Sequence, residues 1–395
     1  MKMKFSALVT FAMMAVSSAA SAQGLLSLQH RSDFKKPTPT TITAGVGMGY
    51  DSLNYKASDA ADIDSLFIQG GLGLNYSDPD QISPYDLGVD FGVINYLDST
   101  NRAEDTDYSA RVVFNIAHAA SERLKFTNNF YLTYEVEPNF GLGASTALRN
   151  GQYFYGYNSF AAAYAWSERF STTTSYTFDG IKYEDGDIGR FEDRYSHLIS
   201  QQFSWAWTKT VKLVGEYRYR TVDYRSANND FSSHYILAGV DKAWSERTAG
   251  SFRAGAEMYS SDRSKETAPY FEASLNHATS DRTTLQVFTA VGFDGSEIGN
   301  YGSRYSYRLG ASASHQVSKR LRVNGGVNYA YSTFDGIGIA PDVNEHELSA
   351  TAGLGYQVWN NVSLDANYSY TVLTSDDNLR DYDRNRVSLG LSAQF

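Results

Sequence analysis

From Thr41 to Phe395 the chain alternates apolar and polar residues with a period of two almost without interruption. The closing segment shows the pattern most clearly. Val387, Leu389, Leu391, Ala393 and Phe395 share one parity, and Arg386, Ser388, Gly390, Ser392 and Gln394 share the other. Successive side chains of a strand point to opposite faces, so such a segment has one greasy face and one wet face. Eighteen segments of this kind can be marked: 41–55, 65–77, 85–98, 107–118, 124–136, 152–166, 170–182, 195–207, 211–224, 233–244, 248–260, 268–278, 283–293, 304–316, 321–333, 346–358, 362–373 and 385–395. Most run well beyond the five or six residues of an ordinary strand.

The connections between these segments alternate in kind. One set is short and repetitive: Ala120-Ser-Glu-Arg123, Trp166-Ser-Glu-Arg169, Trp207-Thr-Lys-Thr210, Trp244-Ser-Glu-Arg247, Thr279-Ser-Asp-Arg282, Val317-Ser-Lys-Arg320 and Trp359-Asn-Asn361. They recur every 35 to 46 residues, so the repeating unit is a pair of strands. The other set is longer, variable and acidic, at 98–107, 183–194, 294–303, 334–345 and 374–384. Short turns at one end and long loops at the other fit a closed antiparallel transmembrane β-barrel. The five tryptophans, Trp166, Trp205, Trp207, Trp244 and Trp359, all stand at or just before short turns. A soluble core would scatter them through strand middles, whereas an interfacial aromatic belt gathers them at one level. The fold expected is therefore all-β, a closed barrel of about 18 strands (16–18), with residues 41–395 forming the barrel.

Closure follows from the solvent. In hydrocarbon no water serves an edge strand, so the last strand, 385–395, is expected to pair antiparallel with the first, 41–55. Eighteen strands enclose a lumen wide enough for water, with the polar parity lining it. Outside the first two dozen residues there is no apolar run long enough for a helical span. Those first residues have the form of a secretory signal. Lys2 and Lys4 precede a short apolar core, and Ala20-Ser-Ala22 offers a cleavage site, giving a signal peptide over 1–22 and a periplasmic lead-in over 23–40. Cysteine is absent, which excludes a disulfide framework and thiolate chemistry. The formal charge of −10 argues against nucleic acid as a partner.

Assigning the polar parity to the lumen gives cations at Arg111, Lys125, Lys212, Arg218, Arg220, Arg253, Arg308, Arg322 and Arg386. It gives anions at Asp86, Asp90, Glu135, Glu216, Glu257, Glu272, Glu347 and Asp365. These charges either pair across strands or set up a transverse field at a constriction. Arg218 and Arg220, two apart on one face, with Arg253, Glu216 and Glu257 on the same parity, mark the candidate constriction. Tyr153, Tyr155 and Tyr157 share the parity opposite Trp166. They are candidates for stacking against sugar rings in the lumen, with extra aromatic girdle as the other reading. The weakly charged loop over 137–151 suits either a segment folded inward or a surface loop.

Enzyme chemistry finds no foothold. His118, His277 and His315 each stand just before a short turn, a repeated interfacial position rather than a ligand cluster, and no Ser-His-Asp set stands out. The run Glu184-Asp-Gly-Asp187 could take a divalent cation weakly, and solvated loop ends or a cation bridge to lipopolysaccharide are the competing readings. No cofactor is expected and no metal site is assigned.

The ending Tyr382-Asp-Arg-Asn-Arg-Val-Ser-Leu-Gly-Leu-Ser-Ala-Gln-Phe395, together with the Ser-Glu-Arg turns, resembles the β-barrel porin 2 type of bacterial outer-membrane protein. That resemblance implies a Gram-negative outer-membrane location and association with exopolysaccharide export. It also implies that the barrel-assembly machinery reads Phe395 as an assembly signal. The expectation is then a passive outer-membrane channel for hydrophilic solutes or polymer, with saccharide as the solute class. The expected partners are outer-membrane lipid, lipopolysaccharide, the assembly machinery and polysaccharide export components. The alternatives are a general diffusion porin and a surface structural or adhesion barrel displaying acidic loops.

Overall fold

The computed structural model describes residues 39–56, 63–78, 80, 82–97, 105–136, 151–225, 229–294, 301–336, 341–377 and 380–395. The expected signal peptide, all but the last two residues of the lead-in, and all but the last residue of the 137–151 loop lie outside them.

Eighteen strands form a single sheet. In chain order they are β1 (Thr40–Tyr55), β2 (Ile63–Asp78), β3 (Tyr85–Tyr96), β4 (Thr106–Ala119), β5 (Leu124–Val136), β6 (Gln152–Ala165), β7 (Phe170–Tyr183), β8 (Arg194–Ala206) and β9 (Val211–Tyr224). They continue with β10 (Phe231–Ser245), β11 (Thr248–Ser261), β12 (Lys265–Ser280), β13 (Thr283–Asp294), β14 (Tyr301–Gln316), β15 (Leu321–Gly336), β16 (Val343–Trp359), β17 (Val362–Ser375) and β18 (Tyr382–Gln394). Each strand pairs antiparallel with its neighbours in sequence, and β1 also pairs with β18, so the sheet closes on itself. A short helix, α1 (Gly186–Glu192), joins β7 to β8.

The seam runs from Thr43↔Gln394 to Tyr55↔Tyr382. It ends on a reciprocal pair: the Phe395 N–H donates to the Ile42 carbonyl at 2.8 Å, and the Ile42 N–H donates to the Phe395 carbonyl at 3.1 Å. The register places Val46 beside Leu391, Met48 beside Leu389 and Tyr50 beside Val387, all exposed on the outer face. Gly45, Gly47 and Gly49 carry the inner face of β1. At Gly49 the missing side chain is what admits the ring of Phe67, since a Cβ there would overlap it.

The short turns owe their repetition to one hydroxyl. In four of these turns the Ser or Thr oxygen accepts backbone N–H groups two and three residues on, and Ser245 and Ser280 accept the N–H two residues on. Ser121 takes those of Arg123 and Leu124, Ser167 those of Arg169 and Phe170, Thr208 those of Thr210 and Val211, and Ser318 those of Arg320 and Leu321. The side chain thus serves donors that the reversing chain cannot pair in the sheet. The same device appears at the other end of the barrel. Ser261 accepts from Arg263 and Ser264, so β11 and β12 are joined by a tight turn among the long loops. A boundary also moves here. The segment expected at 268–278 begins at Lys265, because the strand runs on through Pro269.

The inner face is not uniformly wet. Toward the long-loop end buried apolar clusters stand among buried charges. Phe67, Ile94 and Tyr96 form one cluster, Tyr131, Tyr153, Tyr155, Ile181 and Tyr183 a second, Val222, Tyr224, Phe231 and Tyr259 belong to a third, and Leu53, Leu373 and Tyr382 form a fourth. The expectation of an aqueous interior along the whole wall is therefore corrected. Toward the short turns the inner face carries half-exposed Lys125, Thr127, Asn129, Ser159 and Thr173, and packed aromatic side chains thicken the wall at the opposite end.

Between the clusters at the seam sits a charged clasp. Asp51 of β1 accepts from Arg384 Nε at 2.8 Å and Nη2 at 2.5 Å, and also from Arg386, all three residues being buried. Tyr96 of β3 donates its hydroxyl to Asp51 at 3.2 Å and accepts from Arg386 at 2.7 Å, and the Arg386 guanidinium lies 5.4 Å from the Phe67 ring centre. Replacing Asp51 with Ala leaves two buried guanidinium groups without their carboxylate. The expected loss is about 3–5 kcal/mol, read as a lowered urea midpoint for tryptophan fluorescence of the barrel in vesicles. A midpoint within the error of the parent chain would show that the clasp does not hold the seam.

Candidate functional site

The inner faces of β8 to β12 carry the densest charge network that the expectations identified. Arg218 on β9 donates to Glu216 at 2.7 and 3.1 Å and to Glu272 of β12 at 2.6 and 3.0 Å. It also reaches the Tyr270 hydroxyl at 3.2 Å, and that hydroxyl donates to Glu272 at 2.7 Å. Arg253 on β11 lies 3.6 Å from Glu216 and 2.7 Å from Asp241 of β10. Ser200 of β8 donates to Glu216 at 3.2 Å. Alternation along five adjacent strands aims all of these side chains inward, and the antiparallel register sets them beside one another: Tyr235↔Arg218, Gly239↔Arg253 and Arg253↔Glu272.

The structure therefore brings Arg218, Arg253 and Glu216 into one mat of ion pairs. Arg220 sits further along β9, 3.4 Å from Ser196 Oγ and 5.7 Å from the Phe231 ring centre. Glu257 is fully buried, and its carboxylate accepts the backbone N–H of Phe293 at 2.8 Å. It serves the wall rather than facing a solute, because the strand beside it has lost its normal partner. Charges elsewhere on the inner face pair as well: Arg111 with Asp90, and Arg380 with Glu345.

Tyr153 and Tyr155 do point inward, opposite the exposed Phe154, but both are buried in the cluster with Tyr131, Ile181 and Tyr183. Tyr153 donates to Glu135 at 2.9 Å. Neither ring offers an open face to a passing sugar, which corrects the stacking expectation for these two. Tyr157 is half-buried against the same cluster. The Glu184–Asp187 run is drawn into α1 instead of a cation site: Asp185 is the N-cap and accepts the Asp187 N–H at 2.8 Å. Ile188 of α1 packs on the tyrosine cluster. Among the described residues no three acidic or histidine side chains converge as metal ligands.

All five tryptophans are exposed on the outer face beside the short turns, with Trp166 donating its indole N–H to Thr172 at 2.9 Å. His118, His277 and His315 bond Ser83, Thr248 and Thr283 near the same end. A second belt lies toward the long loops. Tyr176, Tyr217 and Tyr329 each place a hydroxyl 2.7–2.8 Å from Nδ1 of His197, His234 and His346 on the next strand. Tyr368 repeats the arrangement with Asn385 at 2.8 Å. Its sequence signal is Tyr-x-Tyr or Tyr-x-Phe, with His or Asn one strand later.

Between the inner charges stand paired hydroxyls: Ser159 with Thr177 at 3.0 Å, Ser175 with Ser200 at 3.1 Å, Ser251 with Ser274 at 2.8 Å, Ser306 with Ser332 at 2.9 Å, and Ser363 with Ser392 at 2.8 Å. Each pair is a directly opposed cross-strand couple.

A closed eighteen-stranded sheet with an apolar exterior, two aromatic belts and a polar inner face defines an outer-membrane β-barrel channel. The family profile described as "Putative beta-barrel porin 2" matches residues 173–395, more than half of the chain, and the chain belongs to that family. A second profile, "Protein of unknown function, DUF481", matches residues 24–151. No curated protein matches the chain. Among solved structures it is similar to Pseudomonas aeruginosa OccK9 (OpdG), with a TM-score of 0.48 at 10% identity over 90% of this chain and 98% of that one. It is also similar to a BenF-like porin from Pseudomonas fluorescens, at 0.46 and 9% over 90% and 99%. A third, Acinetobacter baumannii OccAB4, gives 0.44 and 11% over 92% and 100%. The chain is thus a porin-family channel of the outer membrane and not an enzyme.

Since Glu272 shares Arg218 with Glu216, Glu272→Gln removes one anion from the mat and leaves the guanidinium partly uncompensated. The expected outcome is a reversal potential shifted toward anions, with about a twofold change in the permeability ratio. An unchanged ratio in asymmetric salt would place the mat away from the ion path.

Proposed function

We propose that the barrel passes uncharged, hydroxyl-rich solutes, saccharide or its polymer, rather than ions selected by a field. The observation that carries this reading is the inner face itself. Its prominent charges neutralise one another in place, while cross-strand hydroxyl pairs recur around the ring, half-exposed at Ser159/Thr177 and Ser251/Ser274 and set deeper at Ser175/Ser200, Ser306/Ser332 and Ser363/Ser392. A hydroxyl gives and accepts one bond at a time and turns freely, so it can hand a sugar from site to site without holding it. A general diffusion porin needs no such surface. The reading extends to polymer export, with glycan export components as partners and with the barrel-assembly machinery recognising the Phe395 terminus.

In a planar bilayer the protein should conduct steadily, and linear maltooligosaccharides should interrupt the current. Ser251→Val with Ser274→Val should shorten those blockades several-fold while conductance in plain salt changes little. Current indifferent to every sugar tested would favour the general porin, and a silent bilayer would reject passage of either kind.

A further inference from the structure

The wall has a break in its hydrogen-bonding, and a proline makes it. The ladder between β12 and β13 runs from Ser280↔Thr283 to Phe271↔Val291 and stops. Yet β13 continues to Asp294, still paired with β14 through Gly292↔Ser306, Phe293↔Tyr305 and Asp294↔Arg304. Likewise β12 continues to Lys265, still paired with β11 through Pro269↔Ala256 and Glu266↔Tyr259. Each strand keeps its other neighbour, and only the contact between the two is open. Extending the register by two residues would set Pro269 opposite Phe293. Proline has no N–H to give to that ladder, and it is not expected inside a closed sheet.

Two of the backbone groups freed by the break, the Phe293 N–H and the Pro269 carbonyl, are served by side chains, one from each side of the wall. The Phe293 N–H donates inward to the Glu257 carboxylate at 2.8 Å, and the Pro269 carbonyl accepts the Tyr305 hydroxyl at 2.5 Å. Gly292 permits this approach, since a Cβ there would stand 2.9 Å from Glu257 Oε2 and 2.9 Å from the Tyr270 ring. Aromatic rings cross the wall at the same place. Tyr259, buried on the inner face, lies 5.1 Å from Phe293. Phe293 lies 4.9 Å from Tyr305, and Tyr305 lies 5.4 Å from Tyr307, which is exposed on the outer face. Tyr307 then meets Tyr331 at 6.0 Å, and Tyr331 meets His346 at 4.8 Å, so the row joins the outer aromatic belt where lipid head groups begin.

We propose that this break is a lateral port. Through it a single-chain amphiphile with an uncharged, hydroxyl-bearing head exchanges between the lumen and the lipid leaflet at the long-loop end. Parting the strands costs side-chain hydrogen bonds, Phe293 to Glu257, Tyr305 to Pro269 and Ser303 to Glu266, instead of a run of ladder bonds. The row of rings offers a flat apolar path for an alkyl chain. Glu257 holds the wall while the break is shut; once the strands part and the Phe293 N–H leaves it, its carboxylate can receive a head-group hydroxyl beside the Tyr270 hydroxyl, and it repels an anionic head. The port does not depend on the saccharide reading of the main lumen.

The test uses a photoreactive-tailed alkyl glucoside mixed into the bilayer before the full barrel is reconstituted. After irradiation, adducts are mapped by mass spectrometry. The parent chain should be labelled at Phe293 and at the inner-face residues Tyr235 and Tyr270. Because the chain has no cysteine, Pro269→Cys with Phe293→Cys introduces a single thiol pair. Oxidation should reduce inner-face labelling to the unirradiated background, and reduction should restore it, with bilayer conductance the same in both states. As a second variant, Pro269→Ala returns the missing N–H and should lower inner-face labelling without a lock. Absence of inner-face adducts in the parent chain overturns the port. So does labelling that neither the oxidised pair nor Pro269→Ala reduces, since the probe would then be entering through the lumen.

Discussion

A backbone amide in hydrocarbon has no water to turn to, and each unserved group there costs several kcal/mol. Everything in this barrel depends on meeting that demand around a complete circle. The seam between β1 and β18 is where the demand is hardest to meet, because the two strands are separated by almost the whole chain. The reciprocal pair between Ile42 and Phe395 carries the ladder to its last residue. The Asp51 clasp ties the same two strands to β3 through Tyr96. Where the ladder cannot be met, at Pro269, side chains of Glu257 and Tyr305 take over the Phe293 N–H and the Pro269 carbonyl. Closure and the proline-made exception at Pro269 obey one rule.

The same rule frees the inner face. With the backbone satisfied within the sheet, inward side chains answer only to each other and to water. Toward the long loops they bury aromatic surface, so that Tyr153, Tyr155 and Tyr183 pack with Tyr131 and with Ile188 of α1. Lower down they pair charges, and Arg218 is held between Glu216 and Glu272. Burying a guanidinium is tolerable only when carboxylates meet it with good geometry, which five adjacent strands in fixed register provide.

Much of this was legible in the residues. Period-two alternation located the eighteen strands, and the Trp-Ser-Glu-Arg turns located one end of the barrel. The serine bonds at Ser121, Ser167 and Ser318 show why that turn sequence recurs. Asp51 and Arg384 could have been found by parity, since Asp51 follows Gly45, Gly47 and Gly49, and Arg384 precedes Arg386 by two. The Tyr–His pairs were harder to see, because each joins residues on different strands diagonally. Parity assigns a side chain to a face but does not say what stands across from it. Tyr153 and Tyr155 were placed correctly inward, and their burial came from neighbours on β5 and β7.

By itself the sequence determined a closed barrel of 16–18 strands and its inner and outer faces, because those follow from local alternation and recurring turns. The tertiary structure alone decided which inward charges meet, which tyrosines are buried, and what Pro269 does to the wall. Those outcomes depend on register across strands far apart in the chain: Asp51 with Arg386, Arg253 with Glu272, and Phe293 with nothing on β12. A single residue's identity fixes its propensity and its face. Its partner is chosen only when the ring closes and every strand takes its place beside the next.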